Sequence, residues 1–168
     1  MTKKQVRATQ YWLMKSEPHV FSIDDLAAAP NQTIHWHGVR NYQARNTLRD
    51  DIQVGDKVLF YHSSCATPAV VGTAKVVRGG YPDFTAWDEN SDYPDPKSTA
   101  ENPRWYMVDV KLDKKLRRPI TLTEMRLDTV LVSMALLKRG NRLSVQPASQ
   151  EHFEHIVALS KQSSARSL

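Results

Sequence analysis

Apolar positions along the chain fall into two rhythms, one alternating and one helical. Tyr11 to Lys15 (YWLMK) is apolar and alternating enough for a first strand, and Ser16, Glu17 and Pro18 stop it. SIDDLAAAP predicts a short helix: Ser22 caps it, Asp24 and Asp25 sit in the first turn where the helix dipole favours acids, and Pro30 ends it. From Asn41 the spacing of Ala44, Leu48 and Ile52 predicts a second helix with one buried stripe. DKVLFYHS and PAVVGTAKVVRG, separated by SSCATP, read as a hairpin of central strands.

Gly80 to Trp105 is crowded with Pro, Asp, Asn and Ser and predicts an irregular stretch longer than purely structural connections usually are. WYMVDVKLDKKL follows as the clearest long strand in the chain. TLTEMRLD and SMALLKRGNRL predict short helical pieces, the second closing at Gly140, and QEHFEHIVALSK presents Phe153, Ile156 and Val157 on a helical face. The order of elements is α+β: a curved, mostly antiparallel sheet or barrel with peripheral helices.

Length bounds this to one domain. The chain has 168 residues, enough to bury a genuine core without a second independent domain, and it predicts a single domain over 11–160 between a flexible segment 1–10 and a fraying tail 161–168. Its longest apolar runs fall far short of a membrane span. MTKKQVRATQ is basic but lacks the apolar middle of a signal peptide, and the lone Cys65 cannot form an intrachain disulfide. The expected setting is a reducing compartment, cytoplasmic, or nuclear in a eukaryote, rather than secreted.

Charge adds a partner class. A formal net charge of +5 favours an anionic partner, and four tryptophans and six tyrosines supply the flat faces that base recognition uses. By default, though, Trp12, Trp36, Trp87 and Trp105 are core residues. On the second helix Tyr42, Arg45, Asn46 and Arg49 share a face that could meet phosphates, or could simply be solvated or paired with Asp50 and Asp51. Lys138, Arg139 and Arg142 form a further basic cluster with the same two readings.

Catalytic patterns are thin. In an extended HWH segment His35 and His37 would share a face, and with His62 they could ligate a metal for a nucleic-acid hydrolase. No HExxH or CxxC supports that, no GxSxG elbow supports a nucleophile at Ser63 or Cys65, and no glycine-rich phosphate loop suggests a nucleotide cofactor. The reading is therefore non-enzymatic, with no cofactor and no metal.

YWLMKSEP with SIDDL, W.GVRNYQARN, GDKVLFYHS, VVGTAKVV, YPD.TA, DPKS, PRW.MVDV and RLSVQP together resemble the EVE domain family, a PUA-like fold related to YTH domains. The resemblance runs from about Tyr11 to Ile156, with His37 standing where WDGVRN-like motifs carry an acidic or other polar residue. It implies a small barrel whose surface pocket reads a modified base, in DNA or RNA, without catalysis. Carried over, it assigns the pocket to Lys15, Ser16 and Glu17, to Trp36, Gly38, Val39, Arg40 and Asn41, and to Phe60, Tyr61, His62 and Ser63. Arg45, Arg49, Lys138, Arg139 and Arg142 are the expected phosphate contacts.

Overall fold

A computed structural model describes residues 7–162. Six strands form one mixed sheet: β1 (Tyr11–Ser16), β2 (Thr33–His35), β3 (Lys57–His62), β4 (Ala69–Pro82), β5 (Tyr106–Thr121) and β6 (Val145–Ala148), in spatial order β2-β5-β4-β3-β1-β6. Only β1 and β3 run parallel; the other neighbours are antiparallel, as the mostly antiparallel expectation had it. The sheet is open, with β2 and β6 at its edges. Register shifts along β4 and β5 bend the long pair.

Strict alternation sends side chains to two separate cores. Trp12, Met14, Val58 and Phe60 point to one face, where Ile23, Leu26, Trp36, Ala44, Leu48 and Ile52 cover them. Leu13, Leu59, Tyr61 and Val70 point to the other, against Met125, Leu131, Phe153 and Ile156. Burial on both faces explains why YWLMK and KVLFYH read as nearly continuous apolar runs.

The helices follow their sequence signals. The helix α1 (Ile23–Ala28) carries a full capping box between Ser22 and Asp25. In α2 (Tyr42–Asn46) the Asn41 side chain accepts from the Ala44 amide, and Ala44, Leu48 and Ile52 are buried as the spacing predicts. The chain then widens into a π turn over Thr47–Asp51, where Ile52 N–H donates to the Thr47 carbonyl. Gly80 of β4 lies against this turn: a Cβ there would sit 2.5 Å from the Leu48 carbonyl oxygen. The helices α3 (Leu122–Leu127) and α4 (Gln150–Ser160) close the second core, while the SMALLKRG stretch holds one 3-10 turn, Ala135–Leu137, just after another over Leu131–Ser133.

The irregular stretch is shorter than expected, because β4 continues through Pro82 and a 3-10 turn occupies Phe84–Trp87. At the start of the chain, Arg7 and the Gln10 amide are both held by the buried Asp56 carboxylate, which also accepts from the Trp12 indole. Segment 7–10 is thus anchored, whereas 1–6 and 163–168 of the expected flexible ends lie outside the described residues. Among the described residues no helix is long and apolar enough to cross a membrane.

Candidate functional site

Parallel pairing of β1 with β3 brings the C-terminal ends of both strands to the same edge, and a cleft of about 710 Å³ opens there. That volume lies within the range of small-ligand sites. Lys15, Ser16 and Glu17 at the end of β1 line one side, and Ser63 and Ser64 beyond β3 adjoin them. Trp36, Gly38, Val39 and Arg40, between β2 and α2, form the opposite wall. Asn141, Arg142 and Ser144 close a third side, with the Lys15 amide donating to the Ser144 carbonyl.

Trp36 belongs to the cleft and the core at once. It is 8% exposed and meets Phe60 edge to face at 5.5 Å, which fixes the ring. The indole N–H of Trp12 is spent on Asp56 and that of Trp105 on Asp95. Burial lowers the pKa of the Lys15 ammonium, and among the described residues it has no acidic partner within ion-pair distance. Glu17 faces the exposed His19 at 3.4 Å.

A residue that the periodicity of the sequence did not single out organises the Trp36 wall. Asp83 is fully buried and accepts hydrogen bonds from Gly38 N–H at 2.8 Å, Arg40 Nη1 at 3.0 Å and Thr85 N–H at 2.9 Å. Burial alone would push its pKa up; the hydrogen bonds from Thr85, Gly38 and Arg40 outweigh burial and hold it below the usual carboxylate range. Arg40 also donates through Nε and Nη2 to the Tyr93 carbonyl at 3.1 and 2.6 Å. These bonds make Arg40 a strut for the loop. Tyr93 in turn lays its ring over Gly38, whose φ of +83° and missing Cβ permit that contact.

Not every expected residue reaches the cleft. Tyr61 lies in the second core, because it follows Phe60 on a strand whose alternate side chains face opposite ways. Phe60 is fully buried beneath Trp36. Asn41 caps α2, and the His62 ring accepts from Ile23 N–H at 3.1 Å with its pKa lowered by burial. Of the expected phosphate contacts, Arg142 lines the cleft, while Lys138 borders a smaller cavity beside β6 and Arg139 is exposed next to it in sequence. Arg49 is bound by both oxygens of its neighbour Asp50, and Arg45 stacks on Tyr42 and donates to the Arg104 carbonyl. Trp87 is 37% exposed rather than core.

The three-histidine arrangement does not assemble. His35 and His37 are neighbours, with ring centroids 4.9 Å apart, but β2 ends at His35 and His62 is engaged beneath α1. Among the described residues no group of three His, Cys, Asp or Glu side chains is placed to hold a metal ion. The Cys65 thiol points to the His62 carbonyl at 3.9 Å and not to its ring.

The model of the EVE domain family matches residues 10–159. The chain belongs to the EVE domain family. This EVE domain is 44% identical to thymocyte nuclear protein 1 of Rattus norvegicus over 168 residues, covering 90% of the chain and 74% of the relative. Among solved structures it is similar to a hypothetical protein from Leishmania major, with TM-score 0.85, 50% identity, and coverage of 91% of this chain and 95% of that one. It is also similar to human THYN1 protein solved in complex with 5-methylcytosine-containing DNA, with TM-score 0.84, 41% identity, and coverage of 93% and 100%. The EVE domain thus places its cleft on a fold shared with a protein that binds such DNA.

Proposed function

We propose that this EVE domain is a non-catalytic reader of a modified base in DNA, which it holds in the cleft beside Trp36. The observation that carries the reading is a cleft of base-holding size, walled by an anchored tryptophan, on the fold of a protein solved with 5-methylcytosine-containing DNA. A planar base needs a π surface and polar groups matched to its edge. Trp36 supplies the surface. Glu17 can accept from the exocyclic amino group of a cytosine, and Lys15 and Ser16 can donate to its carbonyl. A 5-methyl group would rest on the apolar part of the wall near Val39 and Ile34.

Arg142 at the cleft margin is the residue best placed to meet the phosphate of the held nucleotide. Arg40 acts by holding the Tyr93 loop, its donors being committed to Asp83 and Tyr93. Enclosing a base from a duplex costs a few kcal/mol, so single-stranded or easily opened sites should bind more tightly.

Amide chemical shifts followed during titration with a short oligonucleotide carrying one 5-methylcytosine test this reading. The largest changes should fall at Ser16, Gly38, Ser63 and Ser144, with little change at Met125 or Ile156 across the sheet. Changes centred on α3 and α4 would refute it.

A further inference from the structure

Beside the cleft lies a group of rings that the held base does not use. Phe84, the first residue of the 3-10 turn after Asp83, is 46% exposed. Its ring centroid is 5.4 Å from that of His35, which is 4.9 Å from that of His37, both pairs tilted. His35 and His37 line the cleft, whereas Phe84 does not, so the cluster runs from the cleft wall onto the open surface.

We propose that Phe84, His35 and His37 form a second subsite that stacks the base adjacent to the one held in the cleft. The inference rests on the reading above and extends it from one nucleotide to two. A single exposed phenylalanine is unremarkable on a protein surface. This one is set by its own chain geometry: Asp83 caps the turn by accepting from Thr85 N–H while also holding Gly38, so one carboxylate fixes both Phe84 and the Trp36 wall. Stacking tolerates any base, which suits a subsite that adds affinity without reading sequence.

His37 adds an edge contact. Its Nδ1 lies 3.1 Å from the His35 carbonyl oxygen, which can only accept, so Nδ1 carries the proton. In the neutral ring Nε2 is left as an acceptor, suited to an exocyclic amino group.

The test compares the parent protein with Phe84→Ala and Phe84→Leu on two single-stranded oligonucleotides. Both carry one 5-methylcytosine; one has ordinary flanking bases and the other has abasic sites on either side. Phe84→Ala should weaken binding of the ordinary strand about 5- to 150-fold, the range of one base stacked on an aromatic ring, and leave the abasic strand within about twofold. Phe84→Leu keeps apolar bulk without a π face and should remain close to Phe84→Ala; thermal melting of both variants reports folding. Equal losses on both strands, or no loss on either, would overturn the subsite. A third strand, the ordinary one with cytosine in place of 5-methylcytosine, reads the cleft separately: equal affinity of the parent for it and for its methylated counterpart would instead sink the cleft reading. A parent that binds neither strand ends both.

Discussion

The Arg40 guanidinium lies 3.0 Å from the buried Asp83 carboxylate, and its remaining nitrogens close on the Tyr93 carbonyl, so one side chain ties the Trp36 wall to the loop across from it. Arg40→Ala should orphan a buried charge. The expected loss of stability is about 3 kcal/mol, the low end for breaking a buried pair, because Gly38 and Thr85 still donate to Asp83. Arg40→Lys should recover part of it, since an ammonium can meet Asp83 but cannot reproduce the fork on Tyr93. Urea unfolding of the variants measures both.

The same carboxylate sets an acid limit. Asp83 and Asp56 both have pKa values below the ordinary 3.8: burial opposes this in each, but the donors around Asp83, and Arg7, Gln53, Trp12 and Gln10 around Asp56, outweigh it. The unfolded chain therefore binds these protons more readily than the native one. Their contribution is complete above the unfolded pKa and is lost as pH falls below it toward the native values. Unfolding free energy measured from pH 6 down to pH 3 should drop steeply below about pH 4. Asp83→Asn should start lower and fall less steeply.

Two adjacent glycines make opposite demands. A Cβ on Gly80 would lie 2.5 Å from the Leu48 carbonyl oxygen and 2.9 Å from Arg49 Cα, backbone that cannot step aside, whereas a Cβ on Gly79 meets nothing within 4 Å. Gly80→Ala should cost about 2 kcal/mol, within the range for overpacking. Gly79→Ala should change stability by less than about 0.5 kcal/mol, as surface substitutions usually do. Thermal denaturation distinguishes the two.

Pairing within the chain separates the arginines by function. Arg49 is neutralised by Asp50, so Arg49→Ala should leave the slope of log affinity against log salt unchanged. Arg142 is exposed at the cleft and should release a counterion on binding; Arg142→Ala should reduce that slope by about one. Affinities measured across a salt series with one DNA oligonucleotide check both.

Much of the fold was legible because it rests on local rules. Ser22 and Asp25 announce α1, the spacing of Ala44, Leu48 and Ile52 announces the buried side of α2, and alternation announces the strands. The cleft was legible only in part. Lys15, Ser16, Glu17, Trp36, Gly38, Val39, Arg40 and Ser63 line it, but Phe60 and Tyr61 cannot serve one wall together, since neighbours on a strand face opposite ways. Asp83 was missed because it follows the end of β4 at the start of a stretch with no periodicity, and two of its donor residues, Gly38 and Arg40, lie 45 and 43 positions away in the chain. The YPD.TA block contains both Asp83 and Thr85, whose side chains pair at 2.5 Å, and that Asp-x-Thr spacing was the available signal. The exposure of Phe84 likewise depends on tertiary geometry and leaves no mark in the pattern.

The most direct measurement is the ratio of affinities of the parent protein for two otherwise identical DNA oligonucleotides, one with a single 5-methylcytosine and one with cytosine at that position. Burial of one methyl group against an apolar wall is worth about 1 kcal/mol, so the methylated strand should bind roughly fivefold more tightly or better. The ratio should hold as salt is raised, because phosphate contacts are common to both strands. Equal affinities for the two strands at every salt concentration would contradict the assignment of the cleft as a reader of a modified base.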